Sequence, residues 1–177
     1  SPLVDPDMWW HLAAGSEILD GGGIPRAEAW SHTLRGAPWV DFEWLAQVLL
    51  AGLKNLGGFG ALVWVKAALC AAALLGTFHA ARRERSGVPA AVLGALLALS
   101  AVRLRAHARP ELATLILLPV FLIAARRRCW GPCRLWPLVF LSALWANLHG
   151  GWPLGPGLLA LAALGRAWEV RSTGDPA

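Results

Sequence analysis

The residues able to do chemistry begin almost at the N-terminus. Asp5-Pro6-Asp7 sets two carboxylates at i and i+2, directly ahead of Trp9, Trp10 and His11. Oxygens from an extended Asp-x-Asp segment can share one divalent cation, Mg or Mn, which in turn neutralises a phosphate. A carboxylate of the pair can also act as general base toward an incoming hydroxyl. Asp5 and Asp7 are therefore the catalytic and metal-ligating candidates. A structural alternative stands beside that assignment: Asp7 caps a helix starting at Met8. Position N3 of that helix is Trp10, not Glu or Gln, so no capping box supports the cap.

Arg103, Arg105 and Arg109 surround His107 in a stretch flanked by apolar runs. Guanidinium groups near a membrane hold phosphates bidentately or snorkel to ordinary lipid headgroups. Arg109 is singled out because Pro110 follows it and tends to end the helix there; Arg103 and Arg105 are assigned to snorkelling. His149, ahead of Gly150-Gly151, can bind a metal or donate to a substrate oxygen. It fits a helix C-cap equally well, with Gly150 as the left-handed residue. Arg109, His149, His11 and Glu43 make up the substrate-binding set. Glu43 also reads as a solvated residue in the first turn of a helix, and His11, His32 and Trp39 as packing or interface residues. Lys66, the one charge in a long apolar run, is expected to face a bundle interior or polar cavity. Cys70 reads as buried, and Cys129 and Cys133, with no histidine near in sequence, as loop thiols.

The elements that must position these side chains are membrane helices. A chain of 177 residues that is 56% hydrophobic and only 15% charged lacks the polar surface of a soluble domain. Eleven tryptophans and no tyrosine point the same way, because indoles favour the headgroup level. The net charge of +5 sits in short arginine clusters between apolar runs, a pattern of membrane anchors, so nucleic acid is set aside as a partner. The sequence predicts a helix from Met8 to Leu19, stopped by Gly21-Gly22-Gly23, and a loop from Pro25 to Pro38. Asp41 caps a second helix, Phe42 to Leu56, which ends at Gly57-Gly58. Apolar runs follow at 59–80, 88–102, 112–125, 135–148 and 152–167. The expected fold is an all-α, polytopic membrane helix bundle of about five apolar segments. Residues 1–58 are expected to form an extracytoplasmic loop with interfacial helices, 59–171 the bundle, and 172–177 a tail. The polar start carries no signal-peptide pattern, and the chain is expected to be a piece of a longer protein.

If each run crosses once, the loops at 81–87 and 126–134 and the C-terminal end with Arg166 and Arg171 carry nine arginines, against six basic residues on the other face. The positive-inside rule then puts residues 1–58 outside. Asp5, Asp7, His11, Asp41, Glu43, the Arg103–Glu111 stretch and His149 all fall on that outer face. The convergence predicts a site there, contacted by membrane lipids; the oligomeric state is left open.

The motifs also carry a resemblance. Asp5-Pro6-Asp7-Met8-Trp9-Trp10-His11-Leu12-Ala13-Ala14-Gly15 is similar to the D-x-D-x-W-W-H-L-x-x-G opening of a group of bacterial multi-pass proteins. Ser31-His32-Thr33, Gly36-Ala37-Pro38-Trp39, Glu43-Trp44-Leu45, Arg109-Pro110-Glu111 and Asn147-Leu148-His149-Gly150-Gly151 continue it over residues 5 to 155. That group resembles the GT-C class of membrane glycosyltransferases, which includes the oligosaccharyltransferase catalytic subunit and the protein mannosyltransferases. The resemblance implies an acidic motif on the first outer loop, serving as base or metal ligand, and a polyprenyl-phosphate or pyrophosphate sugar donor. Asp5 and Asp7 take the acidic positions, and Arg109 becomes a candidate for the donor phosphate. The chain departs from the class in lacking the span ahead of Asp5 and the C-terminal half of the core. A non-enzymatic transporter or scaffold is the competing expectation, although no internal repeat of the transporter kind is visible.

Overall fold

A computed structural model describes residues 6–83, 87–105, 109–126 and 132–173. Among them are six α-helices and no strand: α1 (Pro6–Glu17), α2 (Trp44–Arg83), α3 (Val88–Arg105), α4 (Leu112–Arg126), α5 (Pro132–Leu148) and α6 (Leu154–Thr173). The all-helical architecture is as expected, and the predicted runs match the helices within a few residues except at the ends of α5 and α6. Asp5, His107 and Cys129 lie outside the described residues; Arg103 and Arg105 fall on the last turn of α3.

The predicted break at Gly57-Gly58 is present inside α2. Gly57 (φ −146°, ψ 20°) and Gly58 (φ 63°, ψ −163°) leave helical geometry, and the left-handed φ of Gly58 explains why glycine stands there. The break divides α2 into two limbs. α1 lies in the crook between them, with Met8 and Leu12 buried against Leu50 and Leu53 of the first limb and Leu62 of the second. Four of its five buried residues, Met8, His11, Leu12 and Gly15, recur at i, i+3, i+4 and i+7 and form one stripe; the fifth is Ala14. Gly15 permits the closest approach, because a Cβ there would overlap the carbonyl of Gln47 and press on Ala51. One face of α1 packs against α2, and Trp9 on its outer side lies against Phe59, ring centroids 5.7 Å apart. Burial of Met8 and Leu12 contributes about 2 kcal/mol each.

A second core joins the later helices. Leu117 and Phe121 of α4 pack on Trp145 of α5, and α6 begins against that pair through Gly155. A Cβ on Gly155 would stand 2.9 Å from Trp145 and 3.0 Å from Phe121, so only glycine brings α6 this close.

One helix, Trp44–Arg82, is long and apolar enough to cross a membrane, and only 11% of its apolar window is buried inside the protein. The other apolar helices, Val88–Ser100, Leu112–Arg126 and Leu135–Leu148, are shorter. The 15 residues of α4 rise about 22 Å, against about 30 Å for a hydrocarbon core. Of the five expected crossings, length and composition thus support the first alone. Within these helices Thr77, Ser100 and Ser142 return their hydroxyls to the carbonyls four residues back, so they need no outside partner. Lys66 is buried, as expected of the lone charge in the run 59–80.

Candidate functional site

The starts of α2 and α4, the end of α5 and the first turns of α1 meet in one polar cluster. Its centre is Glu43, immediately before α2. The Glu43 carboxylate lies 3.9 Å from His11 Nε2 through Oε2, and 3.7 Å from His149 Nε2 through Oε1. The backbone N–H of Gly150 also donates to it. Burial raises the Glu43 pKa above its ordinary value, and the charges of Asp41 and Glu111 push the same way. The Gly150 N–H and the Arg109 guanidinium oppose that shift.

His149 is held by its other nitrogen. Gly151 N–H donates to Nδ1 at 3.0 Å, and Thr114 Oγ1 lies 2.9 Å from the same atom. An amide N–H can only donate, so Nδ1 is the acceptor, and the neutral ring carries its proton on Nε2, facing Glu43. Trp145 Nε1 donates to Thr114 Oγ1 at 3.3 Å, leaving the threonine proton for the imidazole. Burial lowers the His149 pKa, opposed by the charge of Glu111, which favours that neutral ring.

The glycine pair after His149 therefore serves close approach. Gly150 is not left-handed, contrary to the expected C-cap; among the described residues the glycines with positive φ are Gly21, Gly23, Gly36 and Gly58. A Cβ on Gly150 would meet Phe42 at 3.1 Å, and one on Gly151 would meet His149 Nδ1 and Thr114 Oγ1 at 2.9 Å. The chain reverses here between α5 and α6 with its amides turned toward Glu43 and His149.

Asp41 does serve the start of α2, as expected, accepting from the Glu43 N–H at 3.3 Å. It also accepts from Gln47 Nε2 at 2.8 Å, and both side chains are buried. Burial raises the Asp41 pKa, and these two hydrogen bonds oppose it. Across the cluster, Trp44 Nε1 donates to Asn147 Oδ1 at 2.8 Å and ties the start of α2 to the end of α5.

Asp7 and Arg109 close the cluster on its outer side, with Nη2 2.9 Å from Oδ2. Side-chain exposure rises from 4% at His11 and 16% at Glu43 to 23% at His149, 27% at Arg109 and 49% at Asp7, so the cluster opens to its surroundings at the ion pair. Arg109 also borders an apolar groove of about 280 Å³ between α2 and α4, walled by Leu49, Leu53, Val65, Ile116 and Leu117. One guanidinium thus stands where a greasy channel meets an acid–base cluster.

The structure brings together Asp7, His11, Glu43, Arg109 and His149. Of the pair expected to share a cation, only Asp7 is among the described residues. Asp7 faces the guanidinium of Arg109, and among the described residues no group of three metal-ligating side chains gathers. Gln47 and Thr114 belong to the cluster and were missed by sequence reasoning. Each leaves a signal: Gln47 is a lone amide one helical turn after Glu43, and Thr114 a lone hydroxyl in the apolar run after Arg109-Pro110-Glu111. His32 is exposed, and Trp39 packs in an aromatic group with Trp10 and Trp30. Set against known proteins, the chain matches no family model, no curated protein and no solved structure.

Proposed function

We propose that this chain forms the outer-face site of a GT-C-like membrane glycosyltransferase, which moves a sugar from a polyprenyl-phosphate-linked donor to an acceptor hydroxyl. The single observation that carries the reading is the position of Arg109, shared between the apolar groove and the Glu43 cluster. A lipid-linked phosphate needs that pairing: an apolar trough for the chain and a guanidinium for the headgroup. The N-termini of α2 and α4 start at the same place and favour an anion there.

In this mechanism Glu43 is the base, a role that the sequence placed on Asp7. Glu43 has the features of one: a raised pKa, a neutral imidazole beside it and a half-buried carboxylate. It takes the acceptor proton as the acceptor oxygen forms its bond to the sugar C1. The bond from C1 to the donor phosphate breaks, and the departing phosphate keeps the electron pair, its charge met by Arg109. Asp7 holds Arg109 in place until the phosphate competes for it. His149 lies near the sugar and orients Glu43 through Nε2. No step runs through a metal.

The proposal includes a multi-pass arrangement in the cell membrane with residues 1–58 outside. Its support is the arginine asymmetry and the outward apolar side chains of the short helices, such as Leu97, Phe140 and Leu161. Flanking residues or local thinning of the bilayer make up the missing length.

The test is sugar transfer by membranes holding the full-length protein, across a panel of polyprenyl-phosphate and pyrophosphate sugars. Glu43→Gln is expected to lower turnover by about 10²–10⁴-fold, the contribution of a positioned base. Transfer unaffected by Glu43→Gln removes the base, and turnover unchanged in Asp7→Asn removes Asp7 from the chemistry. A scaffold or transporter would show no transfer with any donor.

A further inference from the structure

Beside the Glu43 cluster, the loop between α1 and α2 builds a second cavity that the proposed chemistry does not use. Its volume is about 480 Å³, and it is lined by Trp10, Glu28, Trp30, Ser31 and Trp39. We infer that this cavity is an aromatic cage for a quaternary ammonium group of the choline kind.

The walls are three indoles set at steep angles. Trp30 and Trp39 meet edge to face, with centroids 5.0 Å apart and planes at 86°. Trp10 lies 5.8 Å from Trp39, inclined at 56°. A sugar ring stacks on one flat aromatic shelf, whereas walls at these angles surround a compact, weakly hydrated cation with π faces. Glu28 supplies the charge. Its Oε1 accepts from the N–H groups of Trp30 and Ser31, at 2.7 and 2.8 Å, so the carboxylate is fixed by the backbone that carries the cage. Oε2 makes no hydrogen bond to a described residue and is left for the ligand. A primary ammonium needs three acceptors, which this cavity does not offer; a trimethylammonium needs none.

The cage is assembled before any ligand arrives. Glu28 N–H donates to the Ala37 carbonyl at 2.9 Å, Gly36 N–H to the Glu28 carbonyl at 2.8 Å, and Trp39 N–H to the Arg26 carbonyl at 2.9 Å. These bonds cross-brace the loop around the isolated Ala27–Pro38 bridge and fix Trp30 and Trp39 on its opposite arms. Gly36, with φ +84°, makes the reversal. The exposed Arg26 and Arg35 do not line the cavity. Trp10 belongs to α1, and its ring lies 3.7 Å from that of His11, so the cage is seated on the same helix as the acid–base cluster.

The experiment is saturation-transfer NMR of the whole protein in a detergent without choline or sugar headgroups. Choline is compared with its neutral isostere 3,3-dimethylbutan-1-ol and with methyl glycosides. Choline N-methyl protons are expected to saturate, and the isostere to bind about tenfold more weakly. Glu28→Gln keeps an oxygen for the Trp30 and Ser31 amides, so the loop stays folded while binding falls about tenfold. Trp30→Ala is expected to abolish it. Preference for phosphatidylcholine over phosphatidylglycerol vesicles marks a lipid headgroup as the source, and binding of choline without that preference marks a free solute; both support the cage. Equal binding of the isostere, binding that survives both substitutions, or glycosides bound in place of choline overturns it.

Discussion

The two ends of α2 follow different rules. At its start, Asp41 and Gln47 bond each other, while Glu43 and Trp44 reach His11, His149 and Asn147 on α1 and at the end of α5. Past the Gly57-Gly58 break, the helix has few polar side chains and turns Val63, Trp64, Val65 and Leu75 outward. The first limb is held by the protein itself, since Ala46, Gln47 and Ala51 are buried within it. The second limb leaves most of its apolar surface for something outside the protein to cover. A side chain's chemistry therefore has opposite meanings on the two limbs: a polar group is part of the fit on the first and a fault on the second.

The sharpest way to break that contrast is Trp64→Arg, at a position 78% exposed on the second limb. If lipid covers this face, the charge costs about 3 kcal/mol of membrane insertion, and the helix fails to integrate. If water covers it, the change is close to neutral and insertion is unaffected. Integration of α2 with a reporter glycosylation site on either side measures the difference.

A smaller effect is expected from Gly151→Ala at the polar end. The new methyl would stand 2.9 Å from both His149 Nδ1 and Thr114 Oγ1, so the imidazole must move away from Glu43 or the turn must open. The expected loss is about 1–3 kcal/mol of stability, the usual penalty for an overfilled site. Transfer activity should fall with it, because the Nε2–H no longer faces the carboxylate. Thermal unfolding and turnover on the same preparation check both. A variant as stable and active as the parent would show that this glycine is not needed for the close approach.

These contrasts explain what the sequence made legible. Helix positions were readable because apolar runs, glycine pairs and arginine clusters are local signals. The gathering of Asp7, Arg109 and His149 was expected because successive apolar runs put alternate connections on one side, an order visible without coordinates. The centrality of Glu43 was not. From its neighbours alone Glu43 is a first-turn residue, and its burial comes from His11 on one side and from His149 and Gly150, more than a hundred positions later, on the other. Packing of α1 was hidden for a related reason. Its stripe of Met8, His11, Leu12 and Gly15 suits an interface or a groove equally, and only the bend of α2 supplies the groove.

The gentlest test of the comparison is pH, where the polar end should respond and the apolar limb should not. Asp41 and Glu43 have raised pKa values, so between their ordinary 3.8 and 4.5 and the raised values the folded protein binds more protons than the unfolded chain. Stability in that window therefore increases as pH falls. His149 has the opposite sign: its pKa is lowered from 6.5, so below that value the unfolded chain binds more protons and stability is lost as pH falls. Asp41→Asn separates the two contributions. The amide oxygen can still accept from Glu43 N–H and Gln47 Nε2, while the buried charge is gone and an amide NH2 takes the place of Oδ2. At neutral pH the variant should melt about 2–4 °C higher, matching about 1 kcal/mol from no longer burying a charge. Its acid-side gain should shrink, because one of the two carboxylates behind it is gone, while the loss below pH 6.5 set by His149 persists. A melting profile identical to the parent across that range would mean that Asp41 is solvated in the folded protein, and that the first limb of α2 is held by its apolar contacts alone.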